Sequence, residues 1–541
     1  MKKSLLIITS VLASVALQAQ DFKVTVDTSA EPMEEGPFSP TVKGLSGFTC
    51  PDWFRDAKFG IWAHWGPQCQ PENGDWYGRI MYIEGEGQYK HNIELHGHPS
   101  EFGFKDWIHE WKAENWNPDS LVHFYQECGA KYFFTLANHH DNFDLYDSRY
   151  QQWNSINLGP QKDIVGGWEK AARKYGLRFG VSVHASHAWV WYETAKGHDT
   201  KGLFAGVPYD GWLTKEDGKG TWWEGYDIQD LYEQRHPLSK DNGAWQWEED
   251  KVTTPDQAYC DRLYNRTVDL IDKYNPDIIY FDDVYLPLWP VSDAGLKIAA
   301  HMYNRSANAN GGVNQGVITG KGLSDEQKQT ILWDVERGAP ADIQPLPWQT
   351  CTCIGSWHYD KWRYYNDRYK SSRQVIRMLV DIVSKNGNLL LSVPLRGDGT
   401  PDPTEIRIVG EIGQWLEVNG ESIYGTRPWK LFGEGPSTQA NAALNTFGFN
   451  EGKEQYSSSD LRFTCKGDKT IFVTVMSDIE GQTVISSLGR KSGCLKKARV
   501  RSVQMLGSSE KLNWKQEDDA LVIEKPTTEA IQGITVFKVS L

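Results

Sequence analysis

Cysteine is scarce in this chain: 8 of 541 residues, too few for a fold that depends on a framework of disulfides. Cys351 and Cys353 are separated by one residue, so they also lack the Cys-x-x-Cys spacing of a redox or zinc site. Positive charge is in deficit, because 57 Lys and Arg stand against 71 Asp and Glu and the formal net charge is −14. Nucleic acid and anionic membranes are therefore not expected partners.

Long apolar runs are confined to the start of the chain. Lys2 and Lys3 precede an almost uncharged stretch over residues 4–17, which is too short to span a bilayer. Small residues around Ala19 suit cleavage, and no cysteine lies there to carry a lipid anchor. The pattern predicts a signal peptide over residues 1–20, an exported protein that is periplasmic or extracellular, and no membrane span in the mature chain.

Short apolar runs alternate with longer helical patterns from residue 21 to about residue 425. This alternation predicts parallel strands joined by helices, and the number of units favours a closed (β/α)-barrel over an open sheet. Residues 426–541 instead show β-branched runs separated by Gly, Asn and Asp, which predicts a separate antiparallel β-sandwich. Residues 192–251 form a Trp- and Gly-rich insertion, long enough for a functional loop or a lid. The predicted barrel strands are 59–63, 132–137, 178–183, 278–281, 316–319, 331–333 and 389–393.

Polar side chains follow directly after four of these strands. The carboxyl ends of the strands of a parallel barrel meet at one rim, where barrel enzymes hold their active sites. We therefore expect these side chains to lie close together. They are His64, then His139 and His140, then His184 and His187, then Asp282 and Asp283.

Carboxyl groups are the candidate catalysts. Asp282 ends a strongly apolar strand and can reach a cleft, although it can also cap the next element, and Asp283 is its rival. Glu336 follows another apolar run and is the candidate second carboxyl, with a surface ion pair to Arg337 as the alternative. Two carboxyl groups about 5–5.5 Å apart are what a retaining glycosidase requires.

The histidines admit two uses. His64, His139, His140 and Asp141 could ligate zinc or iron, but no HExxH or HxH spacing supports a metal site, and neighbouring strand residues point to opposite faces. We expect no metal and no other cofactor. Neutral imidazole supplies one hydrogen-bond donor and one acceptor, which suits the hydroxyls of a sugar.

Eight segments between about residues 50 and 430 occur together and in the order of one known family. Jointly they resemble the α-L-fucosidases of glycoside hydrolase family 29. The segments are WFRDAKFGIWAHWG at 53–66, DWY at 75–77, HHD at 139–141, YFD at 280–282, WQT at 348–350, IGSW at 354–357, NGNLLL at 386–391 and NGESIYG at 419–425.

The resemblance implies a (β/α)-barrel with an irregular helix count, then a β-sandwich, and retaining hydrolysis of terminal α-L-fucose from a glycan without a metal. Carried over by position, Asp282 is the nucleophile. Glu336, followed by Arg337 and Gly338, resembles the acid/base of a subset often selective for α1,3- or α1,4-linked fucose. The residues implied to hold the sugar are His64, Asp75, Trp76, His139, His140, His184 and Trp348.

Three positions depart from the family pattern. Asp75 stands where Glu is common, His184 and His187 compete for a position that is often Tyr or a single His, and Asp283 replaces a frequent Gly. These differences keep α-L-galactoside hydrolysis open as an alternative, because L-galactose is L-fucose with a hydroxyl at C6. A non-catalytic carbohydrate-binding protein on a hydrolase barrel is the other alternative.

Overall fold

Eight parallel strands form a closed barrel at the centre of the protein. The computed structural model describes residues 21–240, 251–439, 444, 446, 448, 450, 451, 455–495 and 498–541, so the predicted signal peptide lies outside the described residues. Each strand pairs with the next, and the eighth closes on the first. Most of their residues are buried, because both faces of the strands are covered. The strands are β1 (Phe59–Ala63), β2 (Tyr132–Leu136), β3 (Arg178–Val183), β4 (Ile278–Val284), β5 (Val317–Lys321), β6 (Leu332–Glu336), β7 (Trp348–Cys353) and β8 (Gly387–Ser392).

The helices surround this barrel unevenly. Four lie between β1 and β2, whereas residues 322–331 and 337–347, all described, join β5 to β6 and β6 to β7 without an α-helix. The irregular helix count implied by the resemblance is thus present. The helices are α1 (Val42–Leu45), α2 (Asp52–Ala57), α3 (Tyr77–Ile80), α4 (Gly87–Leu95), α5 (Phe104–Glu110), α6 (Pro118–Glu127), α7 (Ile164–Lys174), α8 (Ala188–Trp191), α9 (Ile228–Tyr232), α10 (Gln257–Tyr274), α11 (Ala294–Ala309), α12 (Lys361–Tyr365), α13 (Ser372–Ser384) and α14 (Pro403–Asn419).

The carboxyl end of β4 carries an irregularity next to β5. Tyr280 pairs with Thr319, but the next pair is Val284 with Lys321, so β4 uses four residues where β5 uses two. Such a bulge bends a strand and interrupts its ladder. It frees the segment around Asp282 from regular pairing at the point where the strand reaches the rim.

Two antiparallel sheets follow the barrel. One has the order β13-β16-β11-β10-β9 and the other β12-β15-β14. Phe463 and Phe537 of the first share a core with Leu521 of the second, so the sheets form a sandwich. The strands are β9 (Arg427–Glu434), β10 (Leu461–Lys466), β11 (Thr470–Val475), β12 (Thr483–Ile485), β13 (Ser502–Met505), β14 (Trp514–Gln516), β15 (Leu521–Ile523) and β16 (Thr535–Ser540).

The sandwich packs against the barrel. Side chains alternate along a strand, and Phe472 and Val536 point away from the sandwich core into the core of the barrel. Buried Arg462 of β10 also pairs with Asp381 of α13 at 2.5 Å. The larger sheet therefore packs on the outer helices of the barrel.

The insertion predicted over residues 192–251 is described up to residue 240 and again from residue 251. The described part folds into short helices, including α9, and a buried ion pair of 3.0 Å joins its Asp210 to Lys105 of α5. No helix among the described residues combines the length and apolar character needed to cross a membrane. All eight cysteines are described, and all are unpaired.

Candidate active site

A cavity of about 410 Å³ opens at the carboxyl ends of the barrel strands. All but one of the predicted site residues line it, as expected for strand ends that share one rim. Those that line it are His64, Asp75, Trp76, His139, His140, His184, Asp282 and Glu336.

Asp282, and not Asp283, faces the cavity. Tyr280 also faces it, and the alternation of side chains along β4 brings Asp282 to the same side. Asp283 turns away and accepts hydrogen bonds from Ser186 Oγ at 2.8 and 2.9 Å. Its other neighbour is His187, whose Nε2 lies 2.8 Å from the Asp282 carbonyl oxygen. The two acidic residues therefore occupy different environments, and His184 rather than His187 lines the cavity.

Lys321 joins the two candidate catalytic carboxyl groups. Its buried ammonium contacts Asp282 Oδ1 and lies 2.5 Å from Glu336 Oε2. Because one nitrogen touches both groups, their facing oxygens are no more than about 5 Å apart, which is the spacing of a retaining glycosidase and not of an inverting one. The pair is thus close enough for one carboxylate to attack a carbon whose leaving oxygen the other protonates.

The charge of Asp282 is set by this environment. Burial disfavours its ionisation, but the Lys321 ammonium and the nearby rings of His140 and His184 outweigh burial and hold the pKa of Asp282 well below its usual range. His140 Nε2 lies 3.4 Å and His184 Nδ1 3.6 Å from Asp282 Oδ2. Asp282 is therefore a carboxylate at neutral pH, as a nucleophile must be.

Four buried imidazoles form one wall of the cavity. Burial is the main cause that lowers the pKa of His64 and His139 well below the usual value, of His140 to about 3, and of His184. All four rings are therefore neutral at pH 7. Neither ring nitrogen of His64 has a hydrogen-bond partner among the described residues, so both are available to a ligand.

The same histidines come close enough together to hold a metal ion. In the described part of the chain three groups have ligand atoms within 4.8 Å of one another: His64, His139 and His358; His139, His140 and His184; and His140, His187 and Asp282. One nitrogen of His139 is already engaged, because Gln68 Nε2 lies 2.8 Å from His139 Nδ1. The arrangement suits sugar hydroxyls equally, since each neutral ring can donate and accept.

An aromatic wall adjoins these imidazoles: the ring centroids of Trp76 and His140 are 6.2 Å apart, and those of Trp357 and His64 are 5.5 Å apart. Trp76 lines it with a backbone φ of 63°, a left-handed conformation that is rare for a bulky residue and is often found at functional sites. Asp75, just before it, accepts a hydrogen bond of 2.7 Å from the His358 amide. The loop after β7 thereby joins the loop after β1, and its Trp357 completes the wall.

Trp348 is the exception among the predicted binding residues. It lies at the first position of β7, at the end of the barrel away from the cavity, and its side chain is fully buried. Its indole Nε1 donates to the Lys385 carbonyl oxygen at 2.9 Å. Trp348 therefore packs in the core, which corrects its assignment to the sugar site.

A sequence model of the alpha-L-fucosidase family matches residues 25–421, almost three quarters of the chain. The chain belongs to this family. Membership makes it a glycoside hydrolase, in agreement with the paired carboxyl groups and the barrel.

Individual fucosidases are distant in sequence but similar over most of their length. The human plasma alpha-L-fucosidase is 28% identical over 402 residues, which cover 73% of each chain. An alpha-L-fucosidase of Branchiostoma floridae is 24% identical over 505 residues, 92% of this chain and 93% of its own. The structure of the Thermotoga maritima alpha-fucosidase with a mechanism-based inhibitor covers 93% of this chain and 100% of its own, with a TM-score of 0.68 at 23% identity. At this level of identity, the similarity to the Thermotoga maritima structure shows a shared fold.

Several residues that line the cavity of this chain were not predicted from the sequence. Extending β5 by two residues beyond the predicted end at residue 319 would have put Lys321 at the rim beside Asp282. Trp357 and His358 follow β7, a strand that the sequence analysis did not identify. The sequence shows seven apolar runs, whereas a closed barrel of this type has eight strands. The difference indicates that one strand lacks an apolar run. Tyr280 and Arg337 also line the cavity.

Proposed function

We propose that the protein hydrolyses terminal α-L-fucosides by a retaining, two-step mechanism, with Asp282 as nucleophile and Glu336 as general acid and base. The observation that carries this proposal is the pair of carboxyl groups that both contact Lys321, with their facing oxygens no more than about 5 Å apart. Membership of the alpha-L-fucosidase family supports the sugar.

In the first step Asp282 attacks the anomeric carbon while Glu336 gives a proton to the departing oxygen. A glycosyl–aspartate ester forms, the glycosidic bond breaks, and Glu336 is left as a carboxylate. Lys321 Nζ, 2.5 Å from Glu336 Oε2, stabilises that new charge. In the second step Glu336 takes a proton from water, the water oxygen attacks the anomeric carbon, and Asp282 leaves as the carboxylate that Lys321 also stabilises.

The imidazoles bind the ring hydroxyls, and the aromatic wall covers the apolar face of the sugar. Because the four rings are neutral, they can donate to one hydroxyl and accept from another without placing charge on an uncharged substrate. Trp76 and Trp357 supply the apolar surface on which the methyl-bearing side of fucose rests.

We further propose preference for α1,3- or α1,4-linked fucose on branched glycans, and export to the periplasm or the outside of the cell. The first is supported by the segment Glu336-Arg337-Gly338 followed by the Trp-Gln-Thr at 348–350. The second is supported by the charged and apolar pattern of residues 1–20.

The test uses release of 4-nitrophenol from the α-L-fucoside and the α-L-galactoside. Wild type should cleave the fucoside, and Asp282→Asn should lose nearly all turnover because an amide is a poor nucleophile. Near-normal rates in Asp282→Asn would refute the assignment. Faster cleavage of the galactoside would make L-galactose the preferred sugar. Binding of fucose without cleavage of any fucoside would indicate a non-catalytic carbohydrate-binding protein.

The acid/base is tested by Glu336→Ala with added azide. This small anion needs no general base to attack the glycosyl–aspartate ester, so it should restore turnover of the aryl fucoside. Absence of rescue in a folded variant that retains wild-type turnover would place the acid/base role elsewhere.

A further inference from the structure

Described residues of the connection between β9 and β10 reach the catalytic site. Asn450 Nδ2 donates to the Glu336 carbonyl oxygen at 2.9 Å. A Cβ atom on Gly448, whose φ is 72°, would lie 3.3 Å from Glu336 Oε1. A Cβ on Gly338 would meet the Asn450 side chain at 2.3 Å, so only glycine lets the two segments approach this closely.

Glu451 fixes this connection to the barrel. Its Oε2 accepts hydrogen bonds from Arg337 Nη2 at 3.0 Å and Nε at 3.3 Å, and lies 3.1 Å from Lys370 Nζ. Its Oε1 accepts from the hydroxyl of Thr352 on β7. Burial opposes ionisation, but Lys370, Thr352 and Arg337 outweigh it and lower the pKa of Glu451.

Arg337 connects Glu451 to the chemistry. It follows Glu336 directly, its side chain lines the cavity, and its backbone φ of 49° lies in the left-handed region. A left-handed conformation in a residue with a side chain is strained and persists only when its surroundings impose it. The backbone bond from Arg337 N to the Cys351 carbonyl oxygen, at 2.8 Å, and the ion pair with Glu451 impose it here.

We propose that Glu451 is a positioning residue for Glu336: from the sandwich side it holds Arg337, and through Arg337 it sets the direction of the acid/base carboxyl group. This inference rests on the proposed function of Glu336. It makes the sandwich a contributor to the active site of the barrel.

A leaving-group comparison separates positioning from general stability. Proton donation matters most when the departing oxygen is a poor leaving group, so a misplaced acid slows an alkyl fucoside more than a nitrophenyl one. We compare kcat/KM for a fucosylated trisaccharide and for 4-nitrophenyl α-L-fucoside in wild type, Glu451→Gln and Glu336→Ala. In Glu451→Gln the trisaccharide should lose at least about tenfold and the aryl fucoside less than about threefold.

The chain offers a matched control. Asp381, like Glu451, is a carboxylate that pairs with one Arg and one Lys and joins the barrel to the sandwich, but its partners Arg462 and Lys385 do not line the cavity. Asp381→Asn should lower the melting temperature and leave the ratio of the two rates at its wild-type value. If Glu451→Gln does not fold, Asn450→Ala removes the contact to the Glu336 carbonyl oxygen and should shift the ratio in the same direction.

The outcomes are distinguishable. If Glu336→Ala changes the ratio and both Glu451→Gln and Asn450→Ala leave it at the wild-type value, the positioning role is overturned and the proposed function stands. If Glu336→Ala itself leaves the ratio unchanged, the assignment of the acid/base is overturned, and the inference falls with it.

Discussion

Replacing Lys321 with methionine removes the cation that lies between the two catalytic carboxyl groups. Two unit charges about 4 Å apart interact by about 4 kcal/mol at an effective dielectric constant of about 20, which corresponds to about 3 pKa units. Water that enters the vacated space, and the remaining rings of His140 and His184, reduce the effect. We therefore expect the pKa of Asp282 to rise in Lys321→Met.

The assay is the pH profile of kcat/KM on 4-nitrophenyl α-L-fucoside, which reports ionisations of the free enzyme. Lys321 lowers the pKa of Asp282, so wild type keeps its carboxylate nucleophile down to below about pH 4. In Lys321→Met the acidic limb should move to higher pH, and the maximal rate should fall at least about tenfold because Glu336 loses its counter-ion.

A second buried lysine provides the control. Lys105 also bridges two carboxylates, Asp106 at 2.6 Å and Asp210 at 3.0 Å, but it does not line the cavity. Lys105→Met should lower stability and leave the acidic limb in place. A folded Lys321→Met enzyme with the acidic limb of wild type would refute the role given to Lys321.

Three further predictions concern other side chains of the barrel strands. Asp334 is buried, which raises its pKa to about 7. The unfolded chain releases the same proton near pH 4, so the free energy of unfolding of wild type decreases by up to a few kcal/mol as the pH rises from about 4 to 7. Asp334→Asn should lack that slope in urea unfolding, and equal slopes would contradict the assignment. Trp348→Phe should lower the free energy of unfolding by about 1–3 kcal/mol with KM unchanged; a raised KM would return it to the sugar site. Asp283→Asn should keep activity within about tenfold of wild type, whereas a loss as deep as that of Asp282→Asn would exchange the two roles.

The barrel was predictable because its strands are covered on both faces and therefore appear as apolar runs. The strand from Phe59 to Ala63 was located to the residue. β7 was missed because Trp348-Gln349-Thr350-Cys351-Thr352-Cys353 alternates polar and apolar side chains, unlike the apolar runs of the other strands, although all six residues are buried.

The predicted site depended on strand ends, and its limits follow from that. His139 and His140 both line the cavity even though neighbours in a strand face opposite ways, because β2 ends at Leu136 and both residues belong to the turn beyond it. The choice between Asp282 and Asp283 required the direction of each side chain at the end of β4. Glu451 and Arg337 are 114 positions apart in the sequence, and no local sequence pattern predicts a contact over that separation.

The wall of neutral imidazoles has a consequence for selectivity. A neutral histidine can carry its proton on either ring nitrogen, and exchanging these tautomers reverses donor and acceptor without moving the ring. His64, neither of whose ring nitrogens has a hydrogen-bond partner among the described residues, can exchange tautomers without breaking a bond to those residues. Hydrogen bonding at this wall therefore adapts to the orientation of the hydroxyls, and discrimination between related deoxy and hydroxymethyl sugars falls to the shape of the cavity beside Trp76 and Ile80. Substitutions of the aromatic and aliphatic residues, rather than of the histidines, are therefore expected to change which sugar the enzyme accepts.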